Sequence, residues 1–377
     1  MKILVLNYEY PPVGGGGGRA CADLCGALVR RGHEIHLLTS HYRHLPRKEM
    51  VDGYTVHRIP CGRNSITRAS FFSMAWFITA AYLPGMSLLR TWDPDVLHVH
   101  FAVPTGVLAR RLSRRGHIPY VLTAHLGDVP GGVPQKTDRW FRFVYPFTHS
   151  IWKDASTVIA VSEFTKDLAL KHYEVPIRVI PNGVELAEKS DSYEEVPIGE
   201  PPQIIFAGRF QPQKNLPFLV KSLDRIRDMQ WQCLLLGDGP QWEEVKNEIH
   251  MRDLEERVRL GGWVSPEEVW DELGNSDILA MPSLSEGLPV VGVYALAQGL
   301  AIVANRAGGL GELVENGTNG RLCNVGDEDC FVEGLRWCLE DVERLRGLKK
   351  TSRAKAERYD IKKIAETYEA IFEEAVP

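Results

Sequence analysis

The sequence predicts an α/β protein of two doubly wound, Rossmann-like domains in series, facing each other across a cleft. Three observations carry that prediction. The 377 residues suffice for two domains at ~100–200 residues each. Short apolar runs alternate with helical patterns along nearly the whole chain, the pattern of parallel α/β layers. Residues 186–202 are rich in Glu, Ser and Pro and poor in apolar side chains, which reads as a linker between two halves. Composition agrees: 44% of residues are hydrophobic and 25% charged, a balance that excludes disordered, collagen-like and coiled-coil chains.

In the first half, the apolar runs at 3–6, 35–38, 55–59, 96–100, 120–123 and 157–161 read as strands. The pattern restarts with runs at 203–207, 232–236, 258–260, 278–281 and 301–304. The expected organisation is a first domain over residues 1–185, the linker 186–202 and a second domain over 203–360. A final helical segment, 361–377, is able to pack back on the first domain. Ligands are expected at the C-terminal ends of the strands.

Charge is divided unevenly. Residues 1–170 hold 20 Lys+Arg against 12 Asp+Glu, together with ten of the 12 histidines, within a chain of net charge −5. Such a basic half suits an anionic ligand or an anionic membrane surface as well as it suits a merely basic exterior. No nucleic-acid partner is expected, because the basic residues are not interleaved with a binding motif. The seven cysteines include no CxxC pair, so neither a disulfide framework nor a zinc ribbon is predicted. Cys21 and Cys25 read as buried thiols on one helix face. The first residues turn polar at Asn7 without a small-residue cleavage site, so they read as a strand and a cytoplasmic setting is expected.

Residues 69–89 are uncharged but for nothing more than their flanks, close to the ~20 residues that cross a bilayer. Pro84-Gly85 is expected to break the stretch, and Ser and Thr are spread through it. A buried or interfacial helix is therefore favoured over a span. In the interfacial case its Phe, Trp and Met side chains, with Arg63 and Arg68 upstream, would suit a lipid surface.

Three segments carry chemistry. Pro11-Pro12-Val13 leads into Gly14 to Gly18 between the first strand and a helix expected near Arg19. Glycines there let a phosphate approach backbone N–H groups at a helix start, although the spacing is neither GxGxxG nor a P-loop. Next, Arg209 and Lys214 flank a Pro-containing turn after the strand at 203–207, placed to neutralise a diphosphate as a fork and a point charge. Finally, Pro282-Ser283-Leu284-Ser285-Glu286-Gly287-Leu288-Pro289 follows a strand and opens a helix at Val290. It supplies a carboxylate for sugar hydroxyls and helix-start amides for phosphate.

Taken in order, these segments resemble a family-4 glycosyltransferase of the GT-B fold, retaining and nucleotide-sugar dependent. The resemblance also runs through Gly32-His33-Glu34-Ile35, Asp95-Val96-Leu97-His98-Val99-His100, Thr123-Ala124-His125-Leu126-Gly127-Asp128 and Pro181-Asn182-Gly183-Val184. It continues with Leu236-Gly237-Asp238-Gly239, Gly262-Trp263-Val264 and Gly308-Gly309 leading to Glu312-Leu313. The resemblance implies that Arg209 and Lys214 hold the diphosphate and that Gly15 and Gly16 approach it from the first domain. Glu286, with Gly287, Leu288, Pro289 and Val290, would hold the sugar and phosphates, Val264 would lie near the base, and His125 near the reacting sugar. Glu286, His125, Arg209 and Lys214 are thus the implied catalytic set. The family's second Glu, eight residues after Glu286, is here Tyr294, so a phenol stands where a carboxylate usually meets the ribose.

The implied reaction is hexosyl transfer from a UDP-sugar, bound by the second domain, to a saccharide or lipid-linked acceptor, bound by the first, as in polysaccharide or glycolipid synthesis. It would need no metal and no cofactor beyond the nucleotide sugar, and would occur in the cytoplasm, at the inner membrane face where the acceptor is a lipid. Asp93-Pro94-Asp95 spells a DxD but sits before a strand and reads as a turn. His98 and His100 share a strand face without a third ligand, which points to neutral roles at the cleft edge. Asn316-Gly317-Thr318 also reads as a turn. A nucleotide-sugar 2-epimerase, or a nucleotide-sugar-binding subunit without turnover, remain the alternatives, and Tyr294 is the residue that favours the latter.

Overall fold

A computed structural model describes residues 1–66, 69–133, 145–186 and 198–376. It divides into two compact units, Met1–Gly183 with Ile361–Pro377, and Val184–Asp360. Arg68 and residues 187–197 of the expected linker lie outside the described residues.

The first unit is built on an eight-stranded sheet in the order β3-β4-β2-β1-β5-β6-β7-β8. Its strands are β1 (Lys2–Asn7), β2 (Glu34–Ser40), β3 (Lys48–Val51), β4 (Tyr54–Ile59), β5 (Val96–His100), β6 (Tyr120–Ala124), β7 (Thr157–Ala160) and β8 (Ile177–Val179). All pairings are parallel except β3 with β4. Both faces of β1 are covered, which is why it reads as a continuous apolar run. Ile3 and Val5 join a core with Cys21, Leu24 and Leu28 of helix α1 (Gly16–Arg30). Leu4 and Leu6 face the other way, toward Phe77 of α2 (Phe71–Thr91) and Leu108 and Leu112 of α3 (Val107–Gly116). Residues 145–154 are helical ahead of β7, and helix α4 (Glu163–Leu170) follows it.

Sequence reading overlooked β3 and β8, which are short and lie at the two sheet edges, where half-exposed strands lose the apolar signature. It also expected Pro84 to end the helix. Instead α2 runs on through Pro84 to Thr91. Tertiary packing overrides the lost N–H here: a Cβ at Gly85 would stand 2.8 Å from Leu112, so that turn lies tight against α3. The helix is long and apolar enough to cross a membrane by composition, yet it packs along one side of this unit. Its outer side leaves Phe71, Phe72, Trp76 and Leu83 exposed, Phe72 at 68% and Leu83 at 74%.

The second unit is a six-stranded parallel sheet, β11-β10-β9-β12-β13-β14. Its strands are β9 (Gln203–Ala207), β10 (Gln232–Leu236), β11 (Val258–Gly262), β12 (Ile278–Met281), β13 (Ala301–Asn305) and β14 (Gly320–Cys323). The helices are α5 (Leu216–Asp224), α6 (Trp242–Met251), α7 (Pro266–Gly274), α8 (Val290–Gln298), α9 (Glu328–Leu339) and α10 (Val342–Ala356). The chain leaves β9 for one side of the sheet and returns to fill the other from β12, so β9 and β12 flank the topological switch point.

At the opposite end of that sheet, Asp277 and Lys349 form a buried ion pair of 2.6 Å. The other Asp277 oxygen accepts the N–H groups of Gly199 and Gln203, and Lys349 also donates to the Ser276 carbonyl. One disulfide, Cys323–Cys330, links the end of β14 to the first turn of α9. This corrects the expectation of unpaired cysteines; seven residues of separation, without a CxxC pattern, carried no signal for it.

The final helix, α11 (Ile361–Ala375), belongs to the first unit. Ile364, Tyr368 and Phe372 enter the core beside α1, and Glu369 accepts hydrogen bonds from Arg31 and His33.

Candidate functional site

In the second unit, Arg209 stands just beyond β9, and Lys214 ends the short turn Pro212–Lys214. Glu286 lies in the loop after β12, the neighbouring strand at the switch point. Lys214 Nζ donates to Glu286 Oε1, with the lysine side chain 17% and the carboxylate side chain 7% exposed. Backbone contacts fix the two loops together. Leu284 N–H donates to the Gln213 carbonyl at 2.8 Å, and Gln213 Nε2 to the Ser285 carbonyl at 2.5 Å. From the far side, Gly309 N–H donates to the Glu286 carbonyl at 3.0 Å, and Asn305 Nδ2 to that of Pro282 at 2.7 Å.

The loops beyond β9, β10 and β11 are joined in the same way. Gly208 N–H bonds to Leu236 and Gly237 N–H to Gly262, at 2.9 and 2.7 Å. A side chain at Gly237 would collide with the Gly208 carbonyl at 1.8 Å, and its φ of +135° suits only glycine. Val264 follows in the third loop. Gly287, Leu288 and Pro289 lead into α8 at Val290; Gly292 and Val293 N–H both turn to the Pro289 carbonyl, at 3.0 and 3.2 Å, while the first N–H groups of a helix, here those of Val290 and Val291, have no carbonyl one turn earlier to bond. Structure thus gathers Arg209, Lys214, Glu286, Gly287, Leu288, Pro289 and Val290 around the switch point. Tyr294 is one turn deeper in α8, 5% exposed, with its ring edge-on to Trp270 at 5.4 Å.

The first unit builds a different site at its strand ends. Helix α1 begins at Gly16, earlier than the expected start near Arg19, with Gly15 as its cap. Gly15 N–H donates to Glu9 Oε2 at 3.1 Å. A Cβ at Gly17 would stand 2.6 Å from Phe101 Cζ, so that glycine makes room for an aromatic ring. His125 follows β6, and its N–H donates to Asp128 Oδ2 at 2.9 Å. The other Asp128 oxygen accepts Ala102 N–H at 2.7 Å, which ties the ends of β5 and β6. His125 Nε2 lies 3.2 Å from His100 Nδ1. Burial pushes the His125 imidazole down to about 3, with the neighbouring His100 adding to it, so the ring is neutral near pH 7. Burial pushes the Asp128 carboxyl up to about 7 against three backbone N–H donors that favour its charge.

One expectation is corrected, that for His98, and the reading of the DxD as a turn holds. His98 lies fully in the core, bonded to Thr123 Oγ1 at 2.9 Å and packed against Tyr368, rather than at an edge. The reason is that α11 covers that strand face. Asp95 accepts Lys2 N–H at 2.7 Å at the N-terminal end of the sheet, so the DxD serves as a turn. Among the described residues, no group of three His, Cys, Asp or Glu side chains is arranged to hold a metal. Sequence reasoning missed Glu9, Phe101, Asp128 and Gln213. Only Asp128 left a signal, since a carboxylate three residues after His125 has the spacing of a capping box.

Comparison with known proteins gives the family of the chain. The sequence model for Glycosyltransferase Family 4 matches residues 14–188, and that for Glycosyl transferases group 1 matches 188–355. A glycosyltransferase of Methanocaldococcus jannaschii is 27% identical, covering 99% of this chain and 98% of its own. The N-acetyl-alpha-D-glucosaminyl L-malate synthase of Bacillus anthracis is 26% identical over 99% of this chain and 97% of its own. Among solved structures, Anabaena HepE in complex with UDP and glucose superposes with a TM-score of 0.78 at 20% identity. It covers 99% of this chain and 100% of its own, and the shared fold is GT-B. With both halves matched in order and relatives aligned end to end, the chain belongs to the family-4 glycosyltransferases.

Proposed function

We propose that this glycosyltransferase moves a sugar from a nucleotide-diphosphate donor, a UDP-sugar in the first instance, to a saccharide or lipid-linked acceptor with retention of configuration. The observation that carries the reading is the Lys214–Glu286 pair at the switch point of the second unit, with Arg209 on the adjoining loop. Arg209, Lys214 and the first-turn amides of α8 stabilise charge developing on the departing diphosphate. Glu286 accepts hydrogen bonds from sugar hydroxyls, and Lys214 is shared between that carboxylate and phosphate. HepE, of the same fold, binds UDP, which supports uridine as the base to test first. Side-chain cations and helix amides supply the charge a metal would supply elsewhere, so no metal is required.

The first unit contributes the neutral His125 and the start of α1 at Gly16 as groups for sugar hydroxyls, the Gly15 N–H being held by Glu9. With no glycosidase-like carboxylate pair assigned, the acceptor hydroxyl attacks on the face the diphosphate leaves, and its proton passes to that phosphate. Synthesis of a polysaccharide or glycolipid at the cytoplasmic membrane face fits the exposed Phe72, Trp76 and Leu83 of α2. Arg90 and Arg115 line one depression with Leu83 and Met86.

The test is incubation with a panel of UDP- and GDP-sugars and saccharide acceptors, with and without EDTA. Release of free nucleotide and an α-linked product from an α-linked donor is expected in both conditions. Inverted product, or activity lost in EDTA and restored by manganese, overturns retention or metal independence. A changed sugar without free nucleotide indicates epimerisation, and binding alone indicates a subunit without turnover. Sedimentation with anionic vesicles at low salt tests membrane attachment, and protein left in the supernatant removes it.

A further inference from the structure

Phe101 follows β5 with φ +70° and ψ 128°, a backbone conformation that bulky side chains avoid. The surrounding chain over-determines it. Phe101 N–H donates to the Thr123 carbonyl at 3.2 Å, and its own carbonyl accepts Thr105 Oγ1 at 2.7 Å and Gly106 N–H at 3.1 Å. Asp128 then holds the next residue by its N–H. Glycine reaches this positive φ more readily than phenylalanine, so the ring is retained at a conformational cost.

What that conformation achieves is placement. The ring lies 4.5 Å from the His125 ring, tilted by 31°, and reaches the first turn of α1, where Gly17 leaves space for it. Phe101 as a residue is partly exposed rather than sealed in the core. Beside it stand a neutral imidazole and the first turn of α1 at Gly17, whose Gly15 cap carries the Glu9 carboxylate on its N–H. That set matches a polyol: an apolar ring for the C–H face, and donors and acceptors for hydroxyls.

We propose that Phe101 is a stacking platform for the sugar ring of the saccharide acceptor, held in a strained backbone so that it lies beside His125. The assignment rests on the transferase reading above, with the acceptor taken by the first unit as the family resemblance implies. Strain at a site residue is commonly maintained by such a functional demand.

The experiment compares Phe101→Gly with Phe101→Tyr in the full-length protein. Phe101→Gly relieves the backbone while removing the ring; Phe101→Tyr keeps the ring. Binding of glucose, N-acetylglucosamine and lactose is measured by saturation-transfer NMR without nucleotide, alongside UDP affinity, acceptor KM and Tm. For Phe101→Gly, saccharide binding and acceptor KM are expected to worsen about tenfold, with UDP affinity and Tm maintained, while Phe101→Tyr stays within about twofold. A lowered Tm with unchanged saccharide binding makes the ring mere packing and overturns the proposal. Equal loss of UDP affinity, or no saccharide bound by the unsubstituted protein, overturns it too. Saccharide binding that depends on Phe101 in a protein that transfers nothing would sustain the platform and defeat the transferase reading instead.

Discussion

The two units place loops at the C-terminal ends of parallel strands in the same manner, yet the chemistry they hold is opposite. The second unit concentrates charge: Arg209, Lys214 and Glu286 stand around one switch point. The first unit holds a neutral imidazole and an aromatic ring, with the Glu9 and Asp128 carboxylates turned to backbone N–H groups. Net charge runs the other way, since the first 170 residues are basic and the remainder acidic. The difference teaches that charge summed over a half describes its surface. In the first half, Arg110, Arg111, Arg114 and Arg115 sit on α3, and two of them pair with Asp154. In the second, the acidic surplus is spread over helix exteriors while cations mark the site.

The largest expected effect contrasts the opposite, N-terminal edges of the two sheets. Asp277 is buried and bonded to Lys349, whereas Asp95 holds Lys2 N–H at an exposed turn. Lys349→Met leaves a buried carboxylate with its amide partners alone and is expected to cost about 3–5 kcal/mol. Asp95→Ala should cost about 1 kcal/mol. Urea unfolding followed by limited proteolysis reads both; equal losses would show that burial does not set the difference.

Next comes the charged site itself. Arg209→Ala and Lys214→Ala should each weaken UDP binding by about 1.5–3 kcal/mol, while His125→Asn leaves it unchanged. Lys214→Ala also strands the largely buried Glu286 carboxylate, so it is expected to cost the more of the two. Calorimetric titration with UDP decides. Unchanged affinity in both cation variants would remove the phosphate assignment.

How much of this was legible in sequence follows from what each feature needs. Strands such as β1, β5 and β9 are covered on both faces and appear as apolar runs, whereas β3 and β8 are edge strands and do not. Arg209, Lys214 and Glu286 are readable because their loops follow strong strands, and the order of motifs adds the rest. Phe101 and Asp128 are not readable in that way. Their roles come from backbone geometry, a positive φ and a carboxylate bridging two strand ends, which no residue type announces. The burial of His98 required knowing that α11 returns to the first unit.

A smaller effect is expected at position 294. Tyr294 is the phenol where the family resemblance expects a carboxylate, and its ring packs on Trp270. Tyr294→Phe should cost about 0.5–1.5 kcal/mol of UDP affinity if its hydroxyl reaches the ribose. No change would confine the residue to packing. Tyr294→Glu places a carboxylate at a position now 5% exposed, and a loss of both affinity and stability is the expected result.

The smallest effect concerns pH, and it tests the neutral character of the first unit's site. With its folded value near 3 against an ordinary 6.5, His125 binds no proton in the native state near neutrality. Its contribution to stability is complete above pH 6.5 and is lost as pH falls from there toward 3. Asp128 is raised to about 7 from 3.8, so its contribution is complete below 3.8 and is lost as pH rises toward 7. Between 3.8 and 6.5 the two slopes oppose each other and flatten the profile. Asp128→Asn removes one of them and should leave stability that falls steadily as acid is added. For transfer itself, no inflection from His125 is expected between pH 6 and 8, because a group titrating near 3 does not change charge there. A rate that rises or falls through an inflection near 6.5 in the unsubstituted protein, and loses it in His125→Asn, would show that the imidazole is charged and solvated. The contrast between a neutral first site and a charged second one would then fail.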